Sequence, residues 1–256
     1  MLLAINLNNT NVKFTLFDGD DVLAEWRQQT SANRTADEHA VWLFQLLQIS
    51  GFDPKAVTDA MIATVVPQAL FNLRRLCQGY FDCDPLVLGE DEVDTGIEIN
   101  ATPPVGADRI CNTVGAGVLF PGQPAVVVDF GTATTFDVVD EAGNYCGGVI
   151  APGINLSLEA LHSATALLPR IVVARPEKII GTNTVDCMHS GVFWGYVGLI
   201  EGIVTRIKSE FGKPMKIVST GGLAPVFEGA TDVIEANVPD ITMRGLREIY
   251  RRSRGV

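Results

Sequence analysis

The stretch "AVVVDFGTATTFDVVDEAGNYCGGVIAPG", residues 125–153, decides the fold. An apolar run at 125–128 stops at small polar residues over 129–134, and alternation resumes at 135–139. A second turn at 140–144 leads to a third apolar segment at 145–150. Period-two patterning broken by Gly, Asp and Thr clusters predicts three strands in an antiparallel meander. Moved back by 123 residues, the stretch lies on the opening "AINLNNTNVKF", residues 4–14. Asp129 then falls on Asn6, Gly131 on Asn8, Thr132 on Asn9 and Thr135 on Val12, with Asp140 near Asp18 and Gly19. Few residues are identical; the strand–turn–strand–turn rhythm is shared. A duplicated supersecondary unit, and so two similar halves, is the expectation.

The segments beyond each copy agree with a duplication. After the first come a helix opened by a capping box from Thr35 to Glu38, with apolar spacing at Val41, Phe44 and Leu47. A strand near 60–66, a helix starting at Pro67 and a strand at 86–88 complete that half. After the second come a helix near 155–166, a long one from about 183 to 211, a strand at 215–219, the turn "TGGLA", a short strand near 232–236 and a last helix from about 242. Meander followed by alternating helix and strand predicts an α/β protein with mixed sheets, divided at 1–116 and 117–256.

Composition narrows the functions. The chain has 256 residues, 47% of them hydrophobic, which suits a packed core. A net charge of −11 argues against a nucleic-acid partner, because phosphate binding wants surplus Lys and Arg. The basic cluster "RGLREIYRRSRG" is expected on a terminal helix, where cations suit the C-terminal dipole. No apolar run approaches the roughly 20 residues that span a bilayer, and no leader pattern opens the chain, so a cytoplasmic protein is expected. Five cysteines without CxxC spacing read as free buried thiols in a reducing compartment, and the three histidines lack partners at metal spacing.

Small polar residues at a strand-to-strand turn present N–H groups and hydroxyls to one point, a concavity that suits phosphates. Two such turns, one per half, could grip a nucleotide from two sides, and Asp129 at a strand end could hold a cation. Taken singly, each is more often only a turn. A third glycine-rich junction, "STGGLA" at 219–224, allows close backbone approach to a flat ligand such as adenine, although a lone Gly-Gly is mostly a tight connection. Neither a Walker A sequence nor GxGxxG is present. In "VGADRICN", 105–112, Asp108 and Arg109 fall in a helix's first turn. There a carboxylate could take a proton from a hydroxyl and a guanidinium could pair with an acid; helix capping alone is the simpler account of the Asp. Gly191, Gly195, Gly198 and Gly202 share one face of the long helix, with Phe193, Trp194 and Tyr196 off it. At about 1 kcal/mol per glycine, such a stripe implies another backbone close by, from the other half or a second subunit.

Together "DFGTATTFDVVD", "GGVIAPGINLSLEALHSATALLPR", "GTNTVDCMHSGVFWGYVGLIEGIV", "TGGLA" and "VGADR" resemble, over the whole chain, the type III pantothenate kinases, grouped with the Bvg accessory factors. That family lies in the acetate-kinase/sugar-kinase/heat-shock/actin superfamily, and the wording is most like alphaproteobacterial members. The resemblance implies two ribonuclease-H-like halves in an actin-like ATPase fold, with a ligand cleft between them. It implies ATP-dependent phosphorylation of pantothenate to 4'-phosphopantothenate, the first step of coenzyme A biosynthesis. It assigns the base to Asp108, and pantothenate binding to Gly106, Ala107, Asp108, Arg109 and Thr184. ATP falls to Asn6, Asn8, Asn9, Thr10, Asn11, Lys13, Gly131 and Thr132, with Mg²⁺, and a monovalent cation, K⁺ or NH₄⁺, to Asp129. A homodimer with no nucleic-acid or membrane partner completes the implied picture.

The opening departs from the family. Its first phosphate loop usually reads Asp-x-Gly-Asn-Thr-Asn; here Asn6 lacks the charge and Asn8 replaces the glycine. Pro104 and Ile99 stand where the family commonly has Glu and Tyr. A catalytically impaired paralogue that binds nucleotide or pantothenate as a regulator is therefore the alternative, and a kinase for another hydroxy acid a third.

Overall fold

The first meander is formed by β1 (Leu2–Leu7), β2 (Asn11–Asp18) and β3 (Asp21–Gln29), and the second by β6 (Ala125–Phe130), β7 (Ala133–Val139) and β8 (Tyr145–Pro152). Their strand starts keep the offset of 123 to within one residue. The computed structural model describes residues 1–90, 93–102 and 104–255. In the first sheet β4 (Asp59–Thr64) and β5 (Leu86–Val87) extend the meander to the order β3-β2-β1-β4-β5. In the second, β9 (Lys216–Thr220) and β10 (Ala236–Asn237) give β10-β9-β6-β7-β8, the same topology read from the other end. In both, the meander is antiparallel and the two added strands run parallel to the central one. The duplication is thus one of topology.

β1 is buried along its whole length because helices cover both faces of its sheet. Leu3, Ile5 and Leu7 face α1 (Ala36–Ile49) and α2 (Pro67–Tyr80), packing with Leu43, Leu47 and Leu73. Leu2 and Ala4 face α3 (Ala107–Leu119) and α6 (Ile241–Arg254), packing with Val114, Met243, Leu246 and Ile249. In the second sheet Val126, Val128 and Phe136 pack on Phe193, Val197 and Ile200 of α5 (Thr184–Phe211). Phe130 stacks on Phe227 with centroids 5.0 Å apart.

The capping box of α1 is present: Glu38 N–H donates to Thr35 Oγ1 at 3.2 Å and Thr35 N–H to Glu38 Oε2 at 2.8 Å. Val41 is 63% exposed, against the expectation, since α1 turns Ala36, His39, Ala40, Leu43 and Leu47 inward. A short helix, α4 (Ile154–Ser163), follows β8. The junction at 219–224 leads only into a short 3₁₀ turn over Ala224–Phe227.

The chain divides into two compact units, Met1–Val118 with Ile241–Val256, and Leu119–Asp240. The terminal helix, expected with the second half, packs in the first. α6 is amphipathic, and its apolar residues Met243, Leu246 and Ile249 complete the core beneath Leu2 and Ala4. Of the five thiols, only Cys77 and Cys111 are buried, short of the expected full set; Cys83 and Cys146 are half-buried and Cys187 is exposed.

Candidate active site

In the first unit the polar hairpin begins at Asn6, in register with Lys13 on β2 and Ala63 on β4. Asn8 N–H closes the turn on Asn11 O at 3.0 Å, and Thr30 clamps it from β3's end, its Oγ1 donating to Asn8 O at 2.6 Å. Asn9, Thr10 and Asn11 form the exposed tip. Lys13 Nζ pairs with Glu25 Oε1 at 2.6 Å. Asn8 has no left-handed backbone, because Asp82 is the one non-glycine with positive φ among the described residues. Replacing the family's glycine therefore costs no backbone strain. The Oδ1 atoms of Asn6 and Asn8 are buried without a hydrogen-bond partner. A buried acceptor left unpaired costs about 1–3 kcal/mol, so both oxygens want a donor or a cation.

In the second unit Asp129 is opposite Thr135 and Thr220, the counterpart of Asn6. Gly131 N–H turns back to Ala133 O at 3.1 Å, and Gly131 and Thr132 are exposed. Three residues, none of them expected to brace it, hold this turn. Gly153 lies so close that a Cβ there would sit 2.8 Å from the Thr132 carbonyl carbon. Tyr196, from α5, donates to Pro152 O at 2.8 Å; with its one proton so used, its hydroxyl accepts from Thr134. Gly221, at φ +94°, passes 2.6 Å from Asp129 Oδ1, measured from where its Cβ would be. Its glycine is demanded by the positive φ and by the Phe130 backbone, whose N and O lie equally near, and Gly222 beside it meets open space.

Asp108 and Arg109 open α3, as their place after Gly106 predicted. Asp108 Oδ1 accepts from Arg109 N–H at 2.9 Å. Burial raises the Asp108 carboxyl above its ordinary range, outweighing the Arg109 N–H and guanidinium that oppose it. A carboxylate so placed is a stronger base than a solvated one. α3 is held in place by α6. Thr242 Oγ1 donates to buried Asn112 Oδ1 at 2.7 Å, and the helices touch backbone to backbone at Gly115 and Gly245. Thr184 is the first residue of α5 and exposed, behind an Asn183 cap whose Oδ1 accepts from Asp186 N–H at 3.0 Å.

The family model for type III pantothenate kinase matches residues 2–206. The chain belongs to that family. The type III pantothenate kinase of Paramagnetospirillum magneticum is 57% identical over 99% of this chain and 98% of its own length. That of Rhodospirillum rubrum is 56% identical over 99% of both chains. The relatives are mostly alphaproteobacterial, like the wording of the motifs. Among solved structures, a candidate Baf family transcriptional activator from Campylobacter jejuni superposes with a TM-score of 0.61 at 18% identity, covering 99% of this chain and 100% of the other. A candidate 2-dehydro-3-deoxygalactonokinase from Sinorhizobium meliloti gives 0.63 at 13%, covering 98% and 96%. At such identities these two speak for the fold alone, the actin-like ATPase fold of two ribonuclease-H-like halves. Within this type III pantothenate kinase architecture the first unit brings the Asn6–Asn11 hairpin and Asp108 with Arg109 onto one body. The second carries Asp129, Gly131, Thr132 and Thr184.

Proposed function

We infer that this chain transfers the γ-phosphoryl group of ATP to the terminal hydroxyl of pantothenate, yielding 4'-phosphopantothenate for coenzyme A biosynthesis. The observation that carries this reading is the full-length match to type III pantothenate kinases at 56–57% identity. Nothing in the comparisons favours a regulator.

In this reading Asp108 takes the hydroxyl proton, with its raised basicity as support. Gly106, Ala107, Arg109 and Thr184 hold pantothenate, the guanidinium of Arg109 facing its carboxylate. Asn6, Asn8, Asn9, Thr10, Asn11 and Lys13 take the ATP phosphates from the first hairpin; Gly131 and Thr132 take them from the second. Mg²⁺, when bound, neutralises charge on the transferring phosphoryl group. The unpartnered Asn6 and Asn8 oxygens fit its water shell, being acceptors that want hydrogen-bond donors. Asp129 offers the carboxylate for K⁺ or NH₄⁺.

The purified chain given ATP, Mg²⁺, K⁺ and pantothenate is expected to form phosphopantothenate at a rate ordinary for kinases, about 1–100 s⁻¹. Asn6→Asp should lower the Mg²⁺ concentration giving half-maximal rate, with kcat changing less than about tenfold, because a carboxylate attracts the hydrated ion more strongly than an amide. Turnover that is absent in the native chain and appears only in Asn6→Asp would establish the silent regulator instead. Preference for another hydroxy acid in a substrate panel would favour the reading based on Pro104 and Ile99.

The same reading makes the chain a cytoplasmic homodimer. No described helix is long and apolar enough to cross a membrane. Cβ atoms added at Gly191, Gly195 or Gly198 would meet nothing within 4 Å in this chain, so a second subunit's backbone has room against α5. Gly195→Arg should convert a dimer to a monomer in sedimentation equilibrium; a native chain already monomeric at micromolar concentration ends this part of the reading.

A further inference from the structure

Helix α2 ends in a reversal that brings two thiols together. Phe81 N–H donates to Cys77 O at 3.1 Å, and Asp82 then takes φ +53°. That left-handed step is uncommon for a residue with a side chain. It turns the chain back so that Cys83 N–H reaches the same Cys77 oxygen at 3.3 Å. The side chains are neighbours as well, Cys83 packing against the core cluster that contains Cys77. Cys77 is fully buried in the α1–α2 core, while Cys83 lies half-buried at its edge.

We propose that Cys77 and Cys83 form a peroxide-oxidation site, in which Cys83 is oxidised first and Cys77 closes a disulfide onto it. The Cys83 thiolate attacks one oxygen of hydrogen peroxide; the O–O bond breaks, and hydroxide leaves to become water with the thiol's proton. Cys83 is then a sulfenic acid, oxidised by two electrons. Cys77 Sγ attacks Cys83 Sγ, the S–O bond breaks, and the departing hydroxide takes the Cys77 proton. Two thiols and one peroxide give one disulfide and two waters.

The other cysteines lack this arrangement. Cys111 is fully buried and its thiol is pushed far up by burial; the Cys146 thiol is raised by burial and by Asp140. Cys187 is the most exposed, but its S–H donates to Gly181 O at 3.5 Å and no second thiol adjoins it. At Cys83 the neighbouring Cys77 thiol lowers the pKa against the opposing pull of burial and the carboxylates of Asp59, Asp84 and Asp82. Thiolate character with a resolving thiol in contact marks a redox-reactive cysteine.

The full chain is treated with hydrogen peroxide, alkylated with iodoacetamide, digested with trypsin and read by mass spectrometry. The peptide beginning after Arg75 contains Cys77 and Cys83 and no other cysteine. It is expected to lose two hydrogens and resist alkylation, while Cys187 in the same sample is alkylated. Cys77→Ser should stop the reaction at a Cys83 sulfenic acid trapped by dimedone, and Cys77→Ala serves if the serine variant does not fold. Oxidation confined to Cys187, or an unmodified 77–83 pair with no dimedone label in either Cys77 variant, overturns the proposal.

Discussion

Asp108→Asn is expected to lower kcat by about a hundred- to ten-thousandfold, the contribution of a positioned general base. The same substitution should leave the protein as stable as the native chain at neutral pH, or slightly more so. The two effects have one cause. Burial holds the Asp108 carboxyl above its unfolded value, so the folded state prefers its neutral form. Above both pKa values folding carries the cost of an ionised, partly desolvated carboxylate. Asparagine removes that cost and, with it, the base of the proposed reaction. For the native chain, kcat/KM should fall as pH drops through the raised pKa, giving an acid limb above the ordinary carboxylate range near 3.9. Turnover, a pH profile and a thermal melt of both proteins check this. Ordinary turnover in the Asn variant removes Asp108 from the role of base.

The largest expected loss of stability comes from a residue that touches no substrate. A Cβ at Gly245 would press into the Cys111 carbonyl group, 2.7 Å from its carbon, and lie 2.9 Å from Gly115 N. These neighbours are helix backbone, which cannot rotate away as a side chain can. Gly245→Ala should therefore force α6 off α3 and destabilise the protein by about 3 kcal/mol. For a chain of this size that is a drop of roughly 10 °C in melting temperature. Because α3 begins with Asp108, activity should fall with the displacement even where the variant remains folded. Gly79→Ala is the control: it is also helical, with nothing within 4 Å of the added atom, and should be neutral or stabilising. A melt of Gly245→Ala that matches the native protein means the helices re-space without penalty.

Patterning conveys local chemistry and strand rhythm, and less of what packing decides. The offset between Asn6 and Asp129 was legible because turn residues interrupt period-two strands at fixed places, and both sheets carry the result. The Thr35–Glu38 cap was legible because its chemistry is local. The face of α1 was not, since Val41, Leu43, Phe44 and Leu47 spread apolar residues around the helix and only packing chooses among them. Tyr196 was placed off the glycine stripe, but its hydroxyl's partners lie in β7 and β8, far away in sequence. At Asn8 the family's glycine is replaced without any need for a left-handed backbone. The candidate site residues lie in motifs; the residues that brace their segments, Gly153, Gly221 and Gly245, reveal their role only through the atoms a side chain would strike.

The return of α6 to the first sheet also sets an order on the chain's birth. Synthesis from the N-terminus delivers every residue of Leu119–Asp240 before Met243, Leu246 and Ile249 leave the ribosome. The second unit can close while its chain is still growing. The first keeps Leu2, Ala4 and Met61 without their final cover until α6 has emerged.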